Sequence, residues 1–274
     1  MNNEERKERR RRVVAKSKFV LPSIITLLSM LCSFSSVVMS INAAGDDPKY
    51  FLTCAAYFLI IAGVCDGLDG RIARATNTTS EFGVQLDSLA DVLSFGMAPA
   101  VLAYQYGFCQ IGANANPQVR AASWAASFFF VACSALRLAR FNVQVSFVDT
   151  RFFVGMPTPV GAACVASIIL YNPNPITTSL QVYSFALELF LVGLLMVSNI
   201  PFPSFKKRFK TQRSTNWVTT GTAIILLAMI MRNNQFLLIL CAAYLISAIA
   251  INAAWKLGWH GIEPPVNMDI KISK

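Results

Sequence analysis

Long apolar stretches separated by short polar connections run along the whole chain. A helix needs about 20 mostly apolar residues to cross the hydrocarbon core of a bilayer. Eight stretches are candidates: 19–41, 50–69, 88–107, 119–139, 157–172, 181–200, 215–231 and 236–256, with the fifth and seventh the shortest. The connections hold turn formers, such as Asp46-Asp47-Pro48, Asn172-Pro173-Asn174-Pro175 and Pro201-Phe202-Pro203. No long linker, low-complexity tract or internal repeat interrupts the pattern. It predicts an all-α, polytopic transmembrane helical bundle.

Composition agrees. Hydrophobic residues make up 55% of the chain and charged residues 14%, against about 25% charged in a soluble domain. Disorder and a disulfide-stapled secreted module are excluded. The net charge of +10 would suggest nucleic acid in a soluble protein, but topology explains it. With a cytoplasmic N-terminus and eight spans, 21 of the 24 Lys and Arg residues fall on the inner side, and only Lys49, Arg120 and Arg232 fall outside. Both termini are therefore expected in the cytoplasm, with no nucleic-acid partner. The basic head before the first apolar stretch resembles a signal peptide. Its apolar part exceeds the roughly 7–15 residues of a signal core, so an uncleaved span is expected. The run Arg9 to Arg12, with Lys16 and Lys18, is a topology signal placed against an anionic leaflet.

Histidine chemistry is confined to His260, the one histidine. The seven cysteines form no C-x-x-C pair and sit mostly in apolar runs. They are expected as small core residues.

Four acids stand out. Asp66 and Asp69 close the second candidate span, and Asp87 and Asp91 open the third. Ionisable groups at membrane depth are expensive and point to function. The first pair is spaced i, i+3 and the second i, i+4, so each pair shares a helix face. Adjacent antiparallel spans then bring all four carboxylates together. Four such groups cannot all stay ionised side by side without cations. An all-oxygen donor set without His or Cys favours Mg²⁺, Mn²⁺ or Ca²⁺ over zinc. It is sufficient for two ions, an arrangement suited to phosphoryl transfer. Alternatives are a cation-transport site and helix-end acids. The second explains Asp87 and Asp91 at a helix start but not Asp66 and Asp69 near a helix end. Gly67, Gly70 and Gly83 flank the acids, where a ligand or a neighbouring backbone approaches closely. Arg74, just past Asp69, suits a phosphate.

The run Asp66-Gly-Leu-Asp69-Gly70-Arg-Ile-Ala73-Arg74, then eight residues to Gly83, three to Asp87 and three to Asp91, resembles the CDP-alcohol phosphatidyltransferase signature at every specified position. The resemblance implies an integral-membrane enzyme, usually a homodimer. Such an enzyme moves a phosphatidyl or related group from a CDP-linked lipid to an alcohol and releases CMP. By the same resemblance, Asp66, Asp69 and Asp87 are metal ligands. Asp91 is the general base, also near a second metal, and the cofactor is Mg²⁺ or Mn²⁺, two ions per site. Gly70, Arg74, Ser80 and Gly83 contact the CDP moiety. Pro22-Ser23-Ile-Ile-Thr26 is similar to the family's P-N-x-x-T element, with Ser23 where Asn is usual, which implies that Ser23 and Thr26 also contact the CDP-linked lipid. The implied organisation is a basic N-terminal segment at 1–18, a six-helix catalytic core at 19–200, a basic loop at 201–214, two further helices at 215–256 and a tail at 257–274.

Two more segments, Ala135-Leu-Arg137-Leu-Ala-Arg140-Phe-Asn142 and Phe153-Val-Gly155-Met-Pro157-Thr-Pro159, resemble elements of the serine-using members of that family. They imply CDP-diacylglycerol and L-serine as substrates and phosphatidylserine and CMP as products. Arg137, Arg140 and Asn142 are then expected at the serine. The arginines are spaced i, i+3 and suit a carboxylate that inositol and choline lack. They equally suit positive-inside residues, and Asn142 equally suits a helix cap. Glycerol 3-phosphate, inositol phosphate or choline remain alternative acceptors. The compact, short-looped layout and the resemblance point to a bacterial cytoplasmic membrane, with the active site on the cytoplasmic face.

Overall fold

The computed structural model describes residues 3–45, 47–75, 80–108, 116–144, 152–203 and 233–257; the side chains of residues 3–22, 73–75, 108, 144, 152–153, 203 and 255–256 lie outside it. The chain forms α1 (Asn3–Asn42), α2 (Pro48–Ala75), α3 (Glu81–Asp91), a π-helical turn (Val92–Met97), α4 (Ala98–Phe108) and α5 (Pro117–Gln144). A short strand β1 (Phe152–Val154) leads into α6 (Thr158–Tyr171) and α7 (Ser179–Val197). Strand β2 (Pro201–Pro203) and helix α8 (Asn234–Lys256) follow. The protein is a polytopic helical membrane bundle.

Among the described residues, six helical stretches are long and apolar enough to cross a membrane: Ser23–Asn42, Pro48–Ile72, Glu81–Gly107, Pro117–Val143, Ser179–Val197 and Asn234–Ala254. The expected fifth span is α6, 14 residues long, or about 21 Å at 1.5 Å per residue. That is shorter than the roughly 30 Å hydrocarbon core. Most of α6 is buried inside the bundle. The expected seventh span, 215–231, lies outside the described residues.

Helix α1 is two-faced. Ile24, Leu27, Leu31, Phe34, Val38 and Ile41 point outward, as lipid requires. Thr26, Ser29, Ser33, Ser36 and Ser40 point inward and are buried. Their spacing of three and four residues makes one stripe. Small hydroxyl side chains let two helices pack closely and bond across the gap. Ser29 Oγ donates to the Ala62 carbonyl at 2.9 Å, and Ser36 Oγ to the Ala55 carbonyl at 2.8 Å. These two rungs fix the antiparallel register of α1 on α2. The same register carries Thr26 to Asp69.

Two helices extend further than the hydropathy pattern suggests. Helix α2 runs through Asp66 and Asp69 to Ala75, so Arg71 and Arg74 lie on its last turns. Helix α3 starts at Glu81, capped by Ser80, whose Oγ accepts from the Gly83 N–H at 3.0 Å. Asp87 and Asp91 therefore lie inside a helix already under way. The π turn follows Asp91 directly and buries Ser94, Phe95 and Gly96. Such turns are frequent at functional sites. A Cβ at Gly96 would lie 3.1 Å from Ser134 Oγ, so the bare glycine lets α5 approach the turn.

The sequence pattern did not predict the two-stranded ribbon. Strands β1 and β2 pair antiparallel, with Phe152 opposite Pro203, Phe153 opposite Phe202 and Val154 opposite Pro201. Each strand has three residues, too few to show an alternation, and the partners are remote in sequence. Gly155 follows at φ +78°. Its N–H donates to the Ile200 carbonyl at 3.0 Å, and the Met156 N–H to the Leu195 carbonyl at 3.0 Å. The ribbon thus ties the start of α6 to the end of α7.

Candidate active site

The acids converge at one end of the bundle. One carboxylate oxygen each of Asp66, Asp69 and Asp87 lies within 4.8 Å of the others. Asp69 is 3% exposed and accepts a 2.8 Å hydrogen bond from Thr26 Oγ1 at its Oδ2. The Asp66 and Asp91 carboxyl groups stand within hydrogen-bonding reach of each other. Asp91 Oδ1 is buried without a hydrogen-bond partner. Two acids at that separation require a shared proton or a cation between them. An oxygen buried without a partner marks the same requirement. The donors are all carboxylate oxygens, the chemistry of a hard divalent cation. The residues fit such an ion.

Other expected residues surround this centre. Ser23 lies on α1 one turn before Thr26, partly buried. Gly70 follows Asp69 on α2 and is partly buried. Arg74 is on the last turn of α2, its side chain outside the described residues. Ser80 and Gly83 form the cap of α3. A Cβ at Gly67 would meet nothing within 4 Å, so among the described residues this side of the site is open.

The three residues expected at an acceptor separate in space. Arg137 on α5 is 7% exposed, and its Nη1 donates to Thr158 Oγ1 at 3.3 Å. Its guanidinium lies 5.2 Å from the Phe141 ring centroid and within electrostatic reach of Asp91. Arg140 faces elsewhere. Its Nη1 donates to the Val197 carbonyl at 3.1 Å and the Ser198 carbonyl at 3.4 Å, and its Nη2 to Asn199 Oδ1. A guanidinium on the last carbonyls of α7 satisfies the groups a helix end leaves open. Asn142 Nδ2 donates to Ser88 Oγ at 3.1 Å, joining α5 to α3 beside Asp87.

Two residues of this centre had not been picked out from the sequence. Phe141 is four residues from Arg137, a spacing that brings side chains together on a helix, so a signal existed. Thr158 stands in a segment already singled out, but its hydroxyl as a partner of Arg137 follows from the packing of α6 on α5.

The fold and the acidic centre define an integral-membrane protein with a carboxylate site fit for a divalent cation. The CDP-alcohol phosphatidyltransferase family model matches residues 19–203, and the chain belongs to that family. It is 36% identical over 193 residues to a Helicobacter pylori protein named CDP-diacylglycerol–serine O-phosphatidyltransferase, covering 69% of this chain and 74% of that one. A Methanocaldococcus jannaschii protein of the same name is 36% identical over 146 residues, covering 53% and 61%. An archaetidylserine synthase of Methanothermobacter thermautotrophicus is 32% identical over 191 residues, covering 68% and 71%. Membership in a family of transferases leaves the cation-transport alternative without support.

Proposed function

We propose that the protein transfers the phosphatidyl group of CDP-diacylglycerol to L-serine, giving phosphatidylserine and CMP. The observation that carries the reading is the buried, unpartnered Asp91 oxygen beside Asp66 and within electrostatic reach of Arg137. A proton acceptor and a buried cation then face one space, as an acceptor with both a hydroxyl and a carboxylate demands. The names of the relatives support serine.

In this reading Asp66, Asp69 and Asp87 hold the divalent cation, Mg²⁺ or Mn²⁺, with Asp91 beside a second. When bound, the cations supply positive charge against the diphosphate. Thr26 fixes the Asp69 carboxylate through its hydrogen bond, as outer-shell partners of ligands do. Gly70, Arg74 and the start of α3 at Ser80 and Gly83 border the CDP moiety. The lipid enters sideways, its acyl chains remaining in the bilayer. Arg137 pairs with the serine carboxylate and orients the hydroxyl toward Asp91. Asp91 takes the hydroxyl proton. The serine oxygen forms a bond to the diacylglycerol-bearing phosphorus, and the bond from that phosphorus to the oxygen of CMP breaks. Asp91 later returns the proton to solvent. Arg140, occupied at the end of α7, supports the fold of the pocket without touching serine. The excess of basic residues on one side of the expected topology supports a cytoplasmic active site, and a homodimer remains part of the proposal.

The test is CMP release by purified protein with CDP-diacylglycerol and Mn²⁺ or Mg²⁺, with and without L-serine, the lipid product weighed by mass spectrometry. Serine-dependent release with phosphatidylserine formed supports the reading. Release only with glycerol 3-phosphate, inositol phosphate or choline replaces serine by that acceptor.

A further inference from the structure

We propose that Asn142 is a positioning residue for the cation site: its side-chain amide holds Ser88, and with it the Asp87 turn of α3, against the end of α5. The proposal rests on the reading above in which Asp66, Asp69 and Asp87 hold the cation. It takes Asn142 away from the acceptor, where the sequence pattern put it.

The helix that carries Asp87 is lightly packed. Ala90 is the buried residue of α3, at its far end. Helix α3 runs along α1, whereas α5 packs on the π turn and α4 and meets α3 itself only slightly. Burial of apolar surface, the main force that seats a helix, therefore does little to fix the distance from Asp87 to the Asp66 and Asp69 carboxylates of α2. The joint next to it adds freedom. Helices bend at π turns, so the aim of α3 relative to α4 depends on what holds each side of the turn.

Two contacts with α5 hold those two sides. Beyond Asp91, Gly96 lies against Ser134, where a Cβ would come within 3.1 Å of Ser134 Oγ. Before Asp91, Asn142 Nδ2 donates to Ser88 Oγ at 3.1 Å. Ser88 is eight residues before Gly96, and Asn142 is eight residues after Ser134. Eight residues rise about 12 Å along each helix, so the hydrogen bond falls in the register that Gly96 and Ser134 set. Asp91 and Arg137 lie between the two contacts.

The end of α5 is itself anchored. Arg140 holds the Val197 and Ser198 carbonyls at the end of α7. The last turns of α5 thus form a strut from α7 to the Asp87 turn. The chemistry of the tie suits its place. An amide donates without carrying charge, whereas an ammonium beside Asp87 would compete with the cation for its carboxylate.

The experiment measures Mn²⁺ binding to the full-length protein in detergent, without substrates, by electron paramagnetic resonance of the free ion. Asp87→Asn removes a ligand and marks the signal that belongs to this site. In Asn142→Ala the dissociation constant for Mn²⁺ should rise about three- to tenfold, the value of one hydrogen bond. At saturating Mn²⁺ the serine KM should stay within about twofold, well inside the effect of losing a direct hydrogen bond. Ser88→Ala should weaken Mn²⁺ to the same extent, and the double variant should be no worse than either single one, since both remove one bond. Ser88→Thr keeps the hydroxyl and should bind Mn²⁺ like the wild type. If Asn142→Ala does not fold, Ser88→Ala against Ser88→Thr carries the test. Unchanged Mn²⁺ affinity in a folded Asn142→Ala or Ser88→Ala overturns the proposal, even if the thermal midpoint falls. A serine KM raised in Asn142→Ala but not in Ser88→Ala also overturns it and returns Asn142 to the acceptor. Wild-type protein that binds no Mn²⁺ at the Asp87 site overturns the cation reading and this proposal together.

Discussion

Thr26 Oγ1 on α1 donates a 2.8 Å hydrogen bond to Asp69 Oδ2 on α2. The bond joins the hydroxyl stripe that packs the first two helices to the acidic centre. The packing register and the aim of one carboxylate are thus set by the same side chains, since the Ser29 and Ser36 rungs lead directly to it.

Replacing Thr26 by Val keeps the shape and removes the donor. The Asp69 carboxylate is then free to turn. The Mn²⁺ or Mg²⁺ concentration needed for half-maximal CMP release should rise about tenfold, within the 10- to 100-fold typical of outer-shell partners. Thr26→Ser should restore most of it. A metal titration that does not move would show that Asp69 holds its place without Thr26.

Asp91→Asn keeps the volume of the side chain and removes the proposed base. Transfer should fall by about 10²- to 10⁴-fold, while binding of CDP-diacylglycerol, measured with labelled lipid, persists. Near-normal turnover would move the base elsewhere.

The two arginines of α5 should behave differently. Arg137→Ala should raise the serine KM well above any effect on the CDP-diacylglycerol KM. Arg140→Ala removes the donors from the Val197 and Ser198 carbonyls and should lower the thermal midpoint in detergent while shifting both KM values alike. A selective serine defect in Arg140→Ala would return that residue to the acceptor site.

Gly155→Ala should destabilise the protein. At φ +78° an L side chain is strained by about 1–3 kcal/mol, and the new Cβ would press on the Met196 and Ser198 carbonyls. A fall in Tm of about 5 °C or more is expected. Because Gly155 leads into Thr158, serine turnover should decline before the helices melt. Thermal unfolding followed alongside CMP release checks both.

Stripping divalent cations with a chelator should end CMP release, and added Mn²⁺ or Mg²⁺ should restore it. Activity that survives exhaustive chelation would remove the cation from the Asp66, Asp69 and Asp87 cluster.

The sequence by itself determined the membrane class, because apolar runs of spanning length have few other uses. It also determined the acidic cluster and the family, because i, i+3 and i, i+4 spacing on adjacent helices is a local property. Asp66, Asp69, Asp87 and Asp91 were legible for that reason. The ends of α2 and α3 were not, since hydropathy fades where a helix leaves the apolar layer although its hydrogen bonds continue. Arg137 and Arg140 looked equivalent as neighbours one turn apart. Tertiary packing separated them: residues three apart are offset by only about 60° around a helix, but one side chain meets α6 and the other meets the end of α7. The ribbon between β1 and β2 and the partner of Thr26 were likewise decided only in three dimensions. Each joins residues remote in the chain, and no local pattern records which distant surface a side chain will meet.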